Sequence, residues 1–249
     1  MNRTKIEWTD YTWNPVTGCW GPGGTAEKPN HCWYCYAKRV HSRFEDKNYN
    51  DPLPKKWGYS FAPTFHPERL FQPAKVKKSA KIFVCSMGDL FGDWVPDEWI
   101  QQIKDRVRSI HNRQHTFQFL TKNPKRYQEF NPWPSNCWVG TTVTNQADAD
   151  KRVRELLFTD APVRFVSIEP MLSEIDSSKW FKGVTKGGYG SWGKVNWTII
   201  GAMTGLGSSQ HQPKPEWIQS LIDQAHGAGV PVFLKDNLHW PEKIQEWPG

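Results

Sequence analysis

No apolar run in these 249 residues approaches the roughly 18–20 that a membrane-spanning helix needs. The charged start, Met1-Asn-Arg-Thr-Lys5, is followed by no apolar stretch, so it does not read as a secretory signal. Cytoplasm is the expected compartment, and thiols stay reduced there. Low-complexity tracts and internal sequence repeats are missing as well. No Gly-x-Gly-x-x-Gly follows the first candidate strand, which removes the usual dinucleotide-binding reading. Cysteine is scarce and odd in number: five, three of them within residues 19–35. That pattern argues against a disulfide framework and for a metal site.

Aromatic residues, by contrast, make up 14% of the chain. A mean hydropathy of −0.71 would otherwise suit disorder, but disordered chains are poor in aromatics, so this one folds. The formal charge is +7 and the isoelectric point about 9.1, a balance that tilts toward polyanionic partners such as nucleic acid. The densest basic run, Lys75-Val-Lys-Lys-Ser-Ala-Lys81, reads as a solvated approach to the strand that follows it.

A short apolar run followed by polar residues and then an amphipathic stretch recurs along the chain. Strands are expected at Lys81–Cys85, Thr116–Leu120, Cys137–Gly140, Val163–Val166, Trp197–Ile200 and Pro231–Leu234, with another between Tyr11 and Val16. Helical spacing joins Trp99, Ile103, Val107 and Ile110 behind Pro96. Asn123-Pro124 looks like a cap and first helical residue. Asn145 suits a cap for a helix carrying Val153, Leu156 and Leu157. Residues Glu216–His226 form a helix burying Trp217, Leu221, Ile222 and Ala225, stopped by Gly227 or Gly229. Six or seven βα units imply an α/β fold with a parallel sheet, read as a barrel or partial barrel. The chain is expected to be a single domain, 1–249, with insertions at about 43–80 and 173–195. Loops after the strands of a parallel barrel form its active face.

Cys19, Cys32 and Cys35 are spaced C-x12-C-x2-C. Thiolates are soft ligands suited to zinc or to iron–sulfur clusters. One reading is structural zinc with three cysteines and His31 or His41, in a non-catalytic nucleic-acid-binding protein. The other is a four-iron cluster with one iron left open for a chelating small molecule. The site's place after the first candidate strand favours the cluster, and Tyr34, directly before Cys35, resembles the aromatic of the Cys-x-x-x-Cys-x-aromatic-Cys signature of radical S-adenosylmethionine enzymes. Cys85 and Cys137 read as buried strand residues.

These residues belong to a recognisable set. Ile6-Glu-Trp-Thr-Asp10, Trp13-Asn-Pro-Val-Thr-Gly-Cys19, Cys32-Trp-Tyr-Cys35-Tyr-Ala37 and His66-Pro-Glu-Arg-Leu70 cover the first part of the chain. Ile82-Phe-Val-Cys-Ser-Met-Gly-Asp-Leu90, Phe119-Leu-Thr-Lys122, Phe165-Val-Ser-Ile-Glu-Pro170 and Val232-Phe-Leu-Lys235 cover the rest. In them the chain resembles an uncharacterised phage and bacterial family of radical-S-adenosylmethionine-like phage gene products. A looser similarity points toward spore photoproduct lyase, which repairs DNA. The resemblance implies a partial (β/α)6 barrel, possibly with one extra strand. It also implies a [4Fe-4S] cluster on Cys19, Cys32 and Cys35, and S-adenosyl-L-methionine as cosubstrate. The enzyme would act on a nucleic acid or nucleotide, draw on an external electron donor of flavodoxin or ferredoxin type, and work in a bacterial or phage-infected cytoplasm. Two departures stand out: a Gly-Pro-Gly-Gly insertion between Cys19 and Cys32 that must loop out, and Gly201-Ala-Met-Thr-Gly205 where the family has Gly-Gly-Glu-Ser-Gly.

Each remaining candidate has two readings. Glu169 holds the ribose or amino group of S-adenosylmethionine, or pairs a neighbouring Lys or Arg. Ser86 and Asp89 contact the methionine amino group, or Asp89 caps a turn. Thr121 and Lys122 bind the methionine carboxylate or a phosphate, or Lys122 faces solvent. Tyr34 and its aromatic neighbours stack adenine or a base, or shield the cluster. Lys235-Asp236 is a further candidate, and His66 and His115 read as structural.

Overall fold

The computed structural model describes residues 1–45, 61–181, 184–186, 189–205 and 207–249. The chain divides into two compact units, Met1–Phe117 and Gln118–Gly249. Parts of both expected insertions, residues 46–60, 182–183 and 187–188, lie outside the described residues.

The first unit begins with two short strands, β1 (Asn2–Arg3) and β2 (Tyr11–Trp13), paired antiparallel. Next come β3 (Val16–Thr17), the helix α1 (Tyr36–Glu45) and β4 (Thr64–Phe65), which pairs antiparallel with β3. Strand β5 (Lys81–Val84) is the parallel neighbour of β2, in register from Tyr11 opposite Ile82 to Trp13 opposite Val84. Helix α2 (Asp97–Arg108) buries Ile100, Ile103 and Val107. Removing each such side chain from water contributes about 1.5–3 kcal/mol. Trp99, expected in the buried stripe, sits at its margin, stacked on Phe65 at 5.2 Å. Ile110, whose spacing would continue the stripe, does not join it. The helix ends at Arg108, the chain tightens into a 3-10 turn at Ile110–Asn112, and Ile110 swings outward to 65% exposure. Fully buried Trp13 packs edge-on against Phe117 at 5.9 Å and donates its indole N–H to the Arg69 carbonyl at 2.8 Å.

Strand β6 (Thr116–Thr121) begins at the end of the first unit. The second unit continues with β7 (Cys137–Val143), α3 (Gln146–Leu157), β8 (Val163–Ile168) and a small hairpin, β9 (Val184–Lys186) with β10 (Tyr189–Trp192). It closes with β11 (Trp197–Ile200), α4 (Pro215–Gly227) and β12 (Val232–Leu234). Strands β7, β8, β11 and β12 are successive parallel neighbours. Their near-continuous burial is what a sheet covered on both faces requires. Asn145 caps α3 by accepting the Asp148 N–H at 2.9 Å, and Val153, Leu156 and Leu157 are buried beneath it. Helix α4 buries Ile218, Leu221, Ile222 and Ala225, whereas Trp217 stays half-exposed beneath Lys214. After Asn123 the chain forms a 3-10 helix, Pro124–Phe130, rather than an α-helix.

The fold is mixed α/β, with a mostly parallel sheet of eight strands in the order β1-β2-β5-β6-β7-β8-β11-β12. Among the described residues no helix is long and apolar enough to cross a membrane.

Candidate metal centre

Cys19 is held by its backbone from several directions. The N–H of Gly18 donates to the Met87 carbonyl at 2.8 Å, and that of Cys19 donates to the Phe61 carbonyl at 2.9 Å. Gly18 has φ +85°, and a β-carbon there would stand 2.0 Å from the Ala62 carbonyl oxygen, so no other residue fits. Beyond Cys19 the chain loops out, as the insertion requires. Asn30 N–H returns to the Trp20 carbonyl at 2.6 Å, and a β-carbon on Gly21 would meet the Asn30 carbonyl oxygen at 1.8 Å.

Cys32 and Cys35 share one turn, in which Cys35 N–H donates to the Cys32 carbonyl at 3.0 Å, and α1 starts at the next residue. Two sulfurs accept backbone N–H donors: Cys19 Sγ from Gly21 at 3.2 Å and Cys35 Sγ from Lys38 at 3.4 Å. The second donor belongs to the first turn of α1, where the helix favours negative charge. Burial pushes the Cys19 thiol up to about 12, and the charges of Asp89, Cys35 and Cys32 add to that; the Gly21 N–H works against it. Cys32, Cys35 and Asp89 therefore all bear electrostatically on Cys19.

This donor set fits an iron–sulfur cluster. Of the three thiols, two already receive N–H bonds of the kind that tune cluster sulfurs, and Trp20, next to Cys19, keeps its indole N–H buried without an acceptor. Among the described residues no three His, Cys, Asp or Glu side chains are gathered tightly enough for one metal ion. Thiolates on separate irons of a cluster stand farther apart than ligands of a single ion. Burial lowers the pKa of His31, the fourth ligand of the zinc reading, with help from Lys38 and against the backbone at Cys19. His41 packs its ring against Phe61 at 5.4 Å.

Residues beyond the cysteines complete this surround. Tyr36, at the start of α1, donates its hydroxyl to the Ser86 carbonyl, tying the cysteine turn to the end of β5. Ser86 Oγ donates to Asn14 Oδ1 at 3.2 Å, and Met87 N–H reaches the same oxygen at 3.1 Å. Asp89 accepts the Phe91 N–H at 3.1 Å, the turn cap expected of it, while also bearing on Cys19. Tyr34 meets Trp33 edge-on at 5.4 Å. Cys85 is 2% exposed with φ +60°, its thiol pushed up to about 12 by burial; Cys137 is fully buried. Asn14 carries no chemical signature in the sequence beyond its place in the family segments, and Tyr36, one of the aromatic neighbours expected to stack or shield, is instead tied by its hydroxyl to Ser86.

The other candidates lie in the second unit. Buried Thr121 accepts the Asn123 N–H at 2.9 Å on its hydroxyl, and Lys122 follows it at the end of β6. Glu169, after β8, forms an ion pair with Lys235, after β12, their side chains 27% and 15% exposed. Gly201 lies between them, where a β-carbon would stand 3.0 Å from Lys235 Cδ and 3.1 Å from Glu169 Cδ. Asn237, which sequence reasoning missed, brackets Ala202 with bonds of 3.1 Å to its N–H and 2.9 Å from its own amide to the carbonyl. Met203, where the resembling family has Glu, is buried.

A family described as "Protein of unknown function (DUF5131)" matches residues 3–246. The chain belongs to that family. No curated protein matches this DUF5131 member. Solved structures do. A spore photoproduct lyase variant with bound AdoMet and dinucleoside spore photoproduct is 10% identical, with a TM-score of 0.47, over 90% of this chain and 62% of that one. A second variant, with the dinucleoside spore photoproduct, is 11% identical at TM-score 0.46, over 94% and 57%. A third reaches 0.49 at 11% identity, over 91% and 63%. The chain thus spans about three fifths of the length of the structures it matches.

Proposed function

We propose that this DUF5131 protein is a radical S-adenosylmethionine enzyme acting on a nucleic acid or nucleotide. Cys19, Cys32 and Cys35 would hold a [4Fe-4S] cluster with one iron open, and both units would serve one catalytic domain. The observation that supports the reading is that two of the three thiols singled out by the spacing, Cys19 and Cys35, accept backbone N–H donors on sulfur, while Cys32 and Cys35 both bear electrostatically on Cys19. Bound there, the group would supply the electron that splits the sulfonium carbon–sulfur bond of S-adenosylmethionine, replenished by an external flavodoxin- or ferredoxin-type donor. The chain's own residues do the rest. Gly18 and Tyr36 fix the cysteine segments against the end of β5. Ser86 and Asp89 serve the methionine amino group and Tyr34 the adenine. In the second unit Thr121 and Lys122 are the candidates for the carboxylate, and Glu169 for the ribose or amino group. The proposed compartment is the cytoplasm, where such thiols stay reduced.

The test is anaerobic reconstitution. About four irons per chain, a brown protein absorbing near ~400 nm, and release of 5′-deoxyadenosine from S-adenosylmethionine under reductant are expected. A colourless protein holding one zinc, with metal uptake that depends on His31, would overturn the reading.

A further inference from the structure

Residues 69–81 and 106–117 together contain eight Lys and Arg and no Asp or Glu. The structure lays these two stretches side by side. Gln114 donates to the carbonyls of Val76 at 2.9 Å and Lys77 at 3.3 Å, Ser79 Oγ donates to the Gln114 carbonyl at 2.7 Å, and Thr116 N–H reaches the Ala80 carbonyl at 3.0 Å. Lys75, Lys77, Lys78, Arg108 and Arg113 are all exposed. The nearest acids in sequence are engaged: Glu68 stands 3.4 Å from Arg69, and Asp105 accepts from Gln101 at 2.8 Å. Charge is unevenly shared along the chain too. Residues 1–117 carry eighteen Lys and Arg against twelve Asp and Glu, an excess of six out of the total of seven.

Two of the four large apolar side chains exposed among the described residues lie in this basic region: Phe71 at 57% and Ile110 at 65%. The Arg106 guanidinium sits over the Phe71 ring at 4.2 Å from its centroid. A ring backed by a cation and open to solvent, within a field of lysines, is the arrangement on which an unpaired base stacks while phosphates meet the cations. A duplex offers no free base face to such a ring.

We infer that the surface formed by Phe71, Arg106, Lys75, Lys77, Lys78 and Arg113 binds single-stranded nucleic acid. This deepens the proposed function by giving the substrate polymer a docking surface, and rests on that reading only for the chemistry that follows binding.

The experiment uses the full chain without reductant or S-adenosylmethionine, and follows a fluorescent twelve-nucleotide oligothymidylate by anisotropy across a salt series. Phe71→Ala is expected to weaken binding roughly tenfold with the salt slope unchanged. The double variant Lys77→Glu, Lys78→Glu is expected to weaken it and flatten the slope of log K against log salt by about 0.7 for each phosphate no longer neutralised. Thermal unfolding of both variants checks that they fold. Three outcomes overturn the assignment: folded variants that bind like the parent, tighter binding of a duplex of equal length, or equal competition by polyglutamate, which would mark a surface for acidic protein. Release of 5′-deoxyadenosine by a protein that binds no oligonucleotide rejects this surface alone. Binding by a protein that takes up no iron rejects the radical reading alone.

Discussion

Single side chains in the first unit differ sharply in what their loss should do. Cys19→Ala, Cys32→Ala and Cys35→Ala each remove one thiol of the proposed ligand set, so each should abolish most iron uptake and the absorption near ~400 nm. Cys137→Ala should leave both intact, because that thiol is buried away in β7 and costs only the stability of a small cavity. Iron retained by all three site variants would reject the ligand assignment. His115 makes a different case. It is 1% exposed; burial lowers its pKa, opposed in part by the backbone at Pro73 and Val76. The unfolded chain takes up a proton at this residue near pH ~6.5, before the folded one does. Stability is therefore full above that pH and falls as pH drops below it. Urea unfolding at pH 7.5 and 5 should show the loss, and His115→Gln should reduce it. His31 and His66 are shifted the same way by burial, so the variant recovers only part. An unchanged pH dependence in the variant would clear His115 of the effect.

Elements were legible to the extent that one residue's neighbours in sequence are also its neighbours in space. The seven strands expected from apolar runs all appear, because a sheet covered on both faces demands such runs. Asn145 announces α3, and its loss to Ala should cost about 1 kcal/mol in urea unfolding. Where local pattern and long-range packing compete, the pattern misleads: Ile110 keeps helical spacing with Val107 but follows a chain that has already left the helix. The candidate metal centre divides in the same way. Its thiols are legible from spacing, since the chemistry needs that residue type. Asn14 and the hydroxyl bond of Tyr36 are not, because they satisfy backbone groups of residues 86 and 87, brought from fifty or more positions away. Gly18 shows what such a tie is worth. Gly18→Ala forces a β-carbon onto the Ala62 carbonyl at φ +85°, so the β3 segment must shift. Lower thermal stability together with impaired iron uptake is expected; normal iron content at a lowered melting point would separate the backbone tie from the metal site.

For the whole molecule, the decisive question is whether the second unit takes part in the chemistry or only in the fold, and the Glu169–Lys235 pair can answer it. Both side chains are largely sequestered, so removing one partner leaves the other's charge poorly solvated. The cost should lie between that of exposed and fully buried pairs, about 1–3 kcal/mol. Glu169→Gln and Lys235→Met should each show it in urea unfolding, and the double variant should recover much of the loss, since no lone charge remains. Stability alone therefore cannot tell a structural pair from a binding carboxylate, but S-adenosylmethionine can. None of these variants touches a thiol, so iron content should match the parent in all three. If Glu169 also holds the cosubstrate, Glu169→Gln and the double variant should both bind it weakly by calorimetry, whereas Lys235→Met, with its carboxylate intact, should bind it better than either. A double variant that regains stability and cosubstrate affinity together would reduce the pair to a strut between the ends of β8 and β12, and would leave cosubstrate recognition to other residues.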